Sequence, residues 1–287
     1  MRNVLEETVD MDGIDDLIVN TSSTDVELIQ TEETVLKAQV WTGDLDEQNC
    51  PVELVMNKKD DKLEIHIIRN RQDWLTRLKT LSFANVKVVI ELPTRLYDHI
   101  VIDGQSSDIS AFELVTNRMN FSCRSGDIEL MHCAANQELN ATTSSGDLTI
   151  CDTHVKERLN ANTSSGDVRL NKSSADDLRL LTHSGDITVT DCCGDLDASA
   201  SSGDIDLTSD ELAGDLNLET SSGDVTVTFG DEPDSVSVYY QGSSGDGSVH
   251  FKDMLYKEKS DHHIIGKKGD GKYKIKARTS SGDFSLK

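Results

Sequence analysis

The sequence predicts an all-β chain: a parallel β-solenoid, β-helix-like, built of two-strand coils of roughly 20 residues with a capping β region at its N-terminal end. Three observations predict it. The triplet Ser-Gly-Asp occurs eight times, ending at Asp127, Asp147, Asp167, Asp186, Asp204, Asp224, Asp246 and Asp283, where composition alone would give about 0.2 occurrences. Successive gaps are 20, 20, 19, 18, 20 and 22 residues, followed by one of 37. On both sides of each copy apolar and polar residues alternate, a period of two that excludes helical repeats. A propeller is excluded in turn because its blades need about forty residues and four strands.

In chain order, the first coil starts near residue 14, where Leu17, Val19, Thr21, Asp25, Val26 and Leu28 reproduce the apolar and corner positions of the repeat. Strand-like runs without the corner follow at 35–41, 52–56, 63–68 and 86–92. They read as wider coils or as a capping sheet over the open end that a solenoid must cover. A degenerate corner, Ser106-Ser107-Asp108-Ile109, precedes the series by 19 residues. In the full repeats, apolar residues lie eight and six before the Asp (Leu139 and Ala141, Leu159 and Ala161) and one and three after it (Leu148 and Ile150, Val168 and Leu170). Between them stand polar residues such as Asn140, Asn160, Thr149 and Arg169, which makes two half-buried strands per coil.

A single coil cannot bury its apolar face, whereas stacking equivalent strands about 4.8 Å apart makes a continuous core. The corner glycines Gly126, Gly146, Gly166, Gly185, Gly203 and Gly223 are expected to hold φ > 0, with Asp or Ser side chains bonding neighbouring turn amides. Residues 247–271 interrupt the period as an insertion, and 273–286 supply a last two-strand repeat. The expected organisation is an N-terminal β region, 1–99, holding the first coil and cap, and the repeat solenoid, 100–287, in one continuous elongated domain.

Composition narrows the function. The chain of 287 residues carries 28 Lys and Arg against 52 Asp and Glu, a net charge of −24, which repels phosphate backbones and excludes nucleic acid as a partner. No run of 18 apolar residues is present to span a bilayer as a helix. Residues 1–7 lack the basic-then-apolar pattern of a secretory signal, so the expected location is the cytoplasm, with the cell envelope as alternative if the native chain is longer or has an anchoring partner. Six cysteines (Cys50, Cys123, Cys133, Cys151, Cys192 and Cys193) show neither CxxC nor regular spacing, which reads as reduced, mostly buried thiols.

The opening Leu17–Leu28 segment, the long-strand run through 63–92, the tandem Thr-Ser-Ser-Gly-Asp-aliphatic corners and the closing Gly269-Asp270-Gly271 with Thr279-Ser280-Ser281-Gly282-Asp283 together resemble the bacterial β-strand-repeat family labelled putative adhesin, which includes envelope-associated proteins of Gram-positive stress operons. The resemblance covers nearly the whole chain. It implies a right-handed parallel β-solenoid with a surface or envelope role, and it brings no catalytic residues with it.

Three constellations are candidates for chemistry. The repeat carboxylates Asp147, Asp167, Asp186, Asp204 and Asp224 would stand in a ladder, with a second partial one at Glu138, Asp177, Asp195 and Asp215 broken by Arg158. Such oxygens suit Ca²⁺, but an Asx corner capped by amides needs no metal, and no structural calcium or other cofactor is expected. The segment 69–83 is basic in an acidic chain, and Trp74, Leu75, Leu78 and Leu81 fall at amphipathic-helix spacing. It either plugs the core or contacts a membrane or partner through Arg71, Trp74, Arg77, Leu78 and Lys79. Outward acids such as Asp197, Asp206 and Glu129 could pair across coils as in carbohydrate-active β-helices, while HExxH, GxSxG and P-loop motifs are absent.

The leading expectation is a non-enzymatic interaction or scaffold protein, adhesin-like, presenting a rigid solenoid surface to a protein or glycan partner. An envelope adhesin of an exported longer form and a carbohydrate-active β-helix enzyme, a polysaccharide lyase or hydrolase, are the alternatives.

Overall fold

A computed structural model describes residues 1–43, 50, 52–69 and 86–287. Among them the chain forms two long sheets of 13 and 15 strands and no helix. Strands that follow each repeat Asp make sheet I, and strands that precede it make sheet II. Equivalent positions stack in register: Leu139 on Leu159, Leu159 on Leu178, Leu178 on Leu196 and Leu196 on Leu216 in sheet II. Ile128, Leu148, Val168, Ile187, Ile205 and Val225 do the same in sheet I. All of these lie in one continuous core between the sheets. The fold is therefore the parallel β-solenoid that the alternation requires.

The corner glycines depart from the expected backbone. None of the six takes a positive φ. Their lack of a side chain is required by stacking: a Cβ on Gly146, Gly166, Gly185, Gly203 or Gly223 would overlap the carbonyl oxygen of the corner glycine one coil back, and a Cβ on Gly126 that of Ser107. Just beneath, buried threonine hydroxyls satisfy four of those carbonyls. Thr143 donates to Gly126 O, Thr163 to Gly146 O, Thr182 to Gly166 O and Thr220 to Gly203 O, at 2.9–3.0 Å.

The left-handed backbone sits at the opposite end of the sheet I strands, five residues past the Asp. Glu113, His132, Asp152, Lys172 and Asp191 have φ of 57°, 54°, 46°, 47° and 50°. Each donates its amide to a carbonyl of the next coil, as Lys172 does to Thr190 O at 2.8 Å and Asp191 to Thr208 O at 2.9 Å. The αL turn is held by these cross-coil bonds even though an L side chain disfavours it.

Sequence order and stacking order part company at both ends. At the N-terminal end the first coil, strands Asp16–Thr21 and Asp25–Thr31, is sandwiched between Tyr97–Gly104 with Ile109–Phe112 on one side and Lys62–Arg69 with Val86–Pro93 on the other. Antiparallel strands then extend both sheets: Leu36–Thr42 and Arg2–Val9 on sheet I, and Val52–Lys59 on sheet II.

At the other end, residues 273–286 are not the outermost repeat. Tyr273–Arg278 lies between Leu216–Glu219 and Val236–Gln241, and Phe284–Leu286 between Val225–Phe229 and Gly247–Val249. The interrupting stretch is correspondingly shorter than 247–271, because 247–249 still completes a coil. Only the hairpin of Leu255–Ser260 and His263–Lys268 leaves the solenoid path, and it pairs antiparallel on Val236–Gln241. The motif explains the order. Coil 273–286 has Thr279 and Phe284 at the two buried corner positions, where coil 236–249 has Gly242 and Gly247. A side chain at either glycine would collide with the ring of Tyr240, which is fully buried and stacks on Phe284 at 4.9 Å.

Candidate partner-binding face

The Ser-Gly-Asp corner displays one residue type repeatedly. At the corner, Asp Oδ1 of one coil accepts the backbone amide of the Asp in the next. This links Asp25, Asp108, Asp127, Asp147, Asp167, Asp186, Asp204, Asp224, Asp283 and Asp246 at 2.8–3.0 Å. The ladder is thus a column of Asx bonds in which every accepting carboxylate has one oxygen occupied. Arg169 occupies further oxygens on Asp147 at 2.9 Å and Asp167 at 2.6 Å. The Asp167 amide and then Arg169 hold the Asp147 carboxyl below its ordinary range. Among the described residues, no group of three or more His, Cys, Asp or Glu is placed to hold a metal ion.

The outward face of sheet II carries a column of amides, Asn160 donating to Asn140 at 2.7 Å and Asn140 to Asn120 at 2.8 Å. Further along, this face turns into a solvent-open trough lined by Asp177, Asp195, Asp197, Asp215, Lys274 and Lys276. Side-chain length makes the trough. Register places Arg179, Asp197, Asn217 and Lys276 side by side on four adjacent strands, so two short side chains lie between two long ones.

The floor is ordered by its own bonds. Asp195 Oδ1 accepts the Asp215 amide at 2.9 Å, Asp215 Oδ1 accepts the Lys274 amide at 2.9 Å, and Asn217 donates to Asp197 at 3.0 Å. On one wall, partial burial raises the Asp177 carboxyl, but hydrogen bonds from Arg179 and Arg158 outweigh this and hold it below the usual range. On the other wall Lys274 Nζ is 3.8 Å from Asp215. The second acidic column is therefore not one ladder. Arg158 stands between Glu138 and Asp177, and carboxylates follow one another on successive coils only from Asp177 through Asp195 to Asp215.

The acids considered for glycoside chemistry are not brought together. Asp197 is on the outer face of sheet II, while Asp206 and Glu129 are on sheet I. Glu129 and Asp206 are separated by Thr149, Arg169 and Thr188, four strand spacings or about 19 Å, against about 5–9.5 Å for a catalytic pair. Burial, and then the charges of Asp204 and Asp186, push the Asp206 carboxyl up.

All six cysteines are free thiols, with Cys123 and Cys133 buried and Cys193 exposed, so fewer are buried than expected. Burial pushes the Cys133 and Cys192 thiols up to about 11, which keeps them protonated. Cys123 takes the place of the corner threonine and donates to Ser107 O. The basic candidates Arg71, Trp74, Arg77, Leu78 and Lys79 lie outside the described residues. No helix among the described residues is long and apolar enough to cross a membrane.

With the coil architecture in place, residues 14–287 match the family described as Toastrack DUF4097. The chain belongs to this family. No curated protein matches it. Solved structures similar to this Toastrack chain include a putative cell adhesion protein from Clostridium sporogenes, 14% identical over 99% of both chains with a TM-score of 0.37. A putative adhesin from Bacteroides fragilis is 14% identical, over 99% of this chain and 96% of that one, with a TM-score of 0.46. A putative lipid binding protein from Parabacteroides distasonis is 15% identical over the same shares, with a TM-score of 0.44. These scores carry no argument about function.

The trough is the surface feature that sequence reasoning missed. Its signal was available in the columns: Asp197 and Asn217 are flanked by Arg179 and Lys276 at the equivalent repeat position, but only once 273–286 is placed next to 216–229.

Proposed function

We propose that this Toastrack chain is a non-enzymatic interaction protein that presents the outer face of sheet II to a protein or glycan partner. The carrying observation is the mixed-charge trough, whose carboxylate floor is fixed by backbone hydrogen bonds on a parallel sheet and flanked by Lys274 and Lys276. Preorganised polar groups of both signs favour a partner with complementary charges, because little side-chain ordering remains to be done on binding. The wide separation of the outward acids supports binding over glycoside cleavage.

The test is a defined panel of charged peptides and oligosaccharides, offered to the wild type and to Asp197→Lys/Lys276→Glu. This pair reverses a floor and a wall charge without touching the core. A ligand retained by the wild type and lost by the variant at unchanged melting temperature supports the reading. Equal retention removes the trough from function, and cleavage of any offered glycan overturns the non-enzymatic assignment.

A further inference from the structure

Coil 273–286 occupies a slot. Its neighbours, coils 216–229 and 236–249, make no sheet pairing with each other: every strand bond between them runs through the inserted coil. The insert satisfies both sides with the complete corner motif. Thr279 donates to Gly223 O at 2.9 Å, the Asp283 amide to Asp224 Oδ1 at 2.8 Å, and the Asp246 amide to Asp283 Oδ1 at 2.8 Å. Ile275, Ala277, Phe284 and Leu286 complete the core at this level. The insert therefore spaces the two coils, and its withdrawal leaves a specific set of unsatisfied edges on each.

The insert is also built to be separable. It joins the preceding strands through Gly269-Asp270-Gly271, whose two glycines have φ of 61° and 72°. Residues 272–287 hold five basic side chains and one acidic one in a chain of net charge −24, so a withdrawn insert is drawn towards acidic solenoids, its own or another's. Two of its cations seat beside carboxylates of the neighbouring coil, Lys274 next to Asp215 and Arg278 next to Glu219.

We propose that residues 273–287 form an exchangeable coil whose partner is a second copy of this chain: the insert of one copy seats in the slot of the other, joining two solenoids at their C-terminal ends. An exchanged coil makes the same sheet bonds and core contacts as a native one. The only new cost is opening the glycine-rich link and bringing two copies together, as in other segment swaps. The exchanged form therefore grows with protein concentration. This inference is independent of any ligand in the trough.

The test uses full-length chains carrying one new cysteine each, Asn217→Cys or Lys276→Cys, positions that are direct register partners across the slot. The two are mixed, unfolded and refolded together at increasing concentration, then treated with a short thiol–thiol crosslinker. The expected result is a dimer whose peptides join position 217 of one chain to position 276 of the other, increasing with concentration above either single variant alone. The double variant within one chain is expected to link internally. Internal linking without any interchain 217–276 product above the single-variant background would overturn exchange. Failure of the double variant to link internally would overturn the seating of the insert itself.

Discussion

The amide of Asp283 bonds to the carboxylate of Asp224 at 2.8 Å across 59 residues of sequence, while Asp246, only 22 residues beyond Asp224, stands one coil further out. The nearest repeat in the chain is not the nearest repeat in space. Asp224 stacks on the coil that brings a threonine to donate to Gly223 and a phenylalanine to fill the core.

Phe284 is accordingly the keystone of that end. It is 1% exposed and stacks on Tyr240. Phe284→Ala is expected to destabilise the protein by about 3 kcal/mol and to speed protease cleavage within 250–272, measured by urea unfolding and limited proteolysis. A variant with native stability would show that the end closes without the ring.

Gly166 has no room for a side chain, since a Cβ there meets the Gly146 carbonyl. Gly166→Val is expected to cost at least about 2 kcal/mol. Asn160→Ala, which removes an exposed-face amide bond to Asn140, is expected to cost about 0.5–1 kcal/mol. Equal melting temperatures for the two variants would contradict the close stacking of corners.

Lys172 holds φ of 47° without being glycine. Lys172→Val is expected to lower stability by about 1–2 kcal/mol, because a β-branched residue tolerates this region worst. Lys172→Gly should match or exceed the wild type. Thermal melts of the three chains give the order, and a valine variant as stable as the glycine one would remove the strain from the account.

Asp206 stands in a row with Thr188 and Thr226 on sheet I. Burial, followed by Asp204 and Asp186, raises its folded pKa above the ordinary value. Folding therefore favours the protonated acid, and ionisation costs stability as pH rises through the interval between the unfolded and folded values. Asp206→Thr is expected to stabilise at pH 7 by roughly 0.5 kcal/mol, the scale of a cross-strand pair, with the gain shrinking as pH falls towards about 4 and level below it. A gain that stays constant from pH 7 to pH 3 would exclude the charge as its origin.

The coil architecture was legible because its determinants repeat. Leu139, Leu159 and Leu178 occupy the same motif position, and stacking like on like makes each local pattern a statement about the global core. The corner backbone was misread for a physical reason. Glycine serves both left-handed φ and close approach, and residue identity alone does not separate the two. The true left-handed turn was hidden because Glu113, His132, Asp152, Lys172 and Asp191 share a position but no chemistry. The trough escaped notice because it depends on coil order, and order was set by the glycines at 242 and 247, whose meaning appears only once Tyr240 is seen filling the space above them.

The insertion of 273–286 between older neighbours also bears on how the protein is made. A ribosome releases residues 236–249 before their sheet partner exists, so during synthesis the growing end of the rod holds a strand pair with nothing to zip onto on its inner side. Closure waits for the later coil, and a chain halted after residue 249 leaves the exit tunnel with its seam open. Quality control by chaperones and proteases has a physical mark by which to tell an interrupted copy from a finished one.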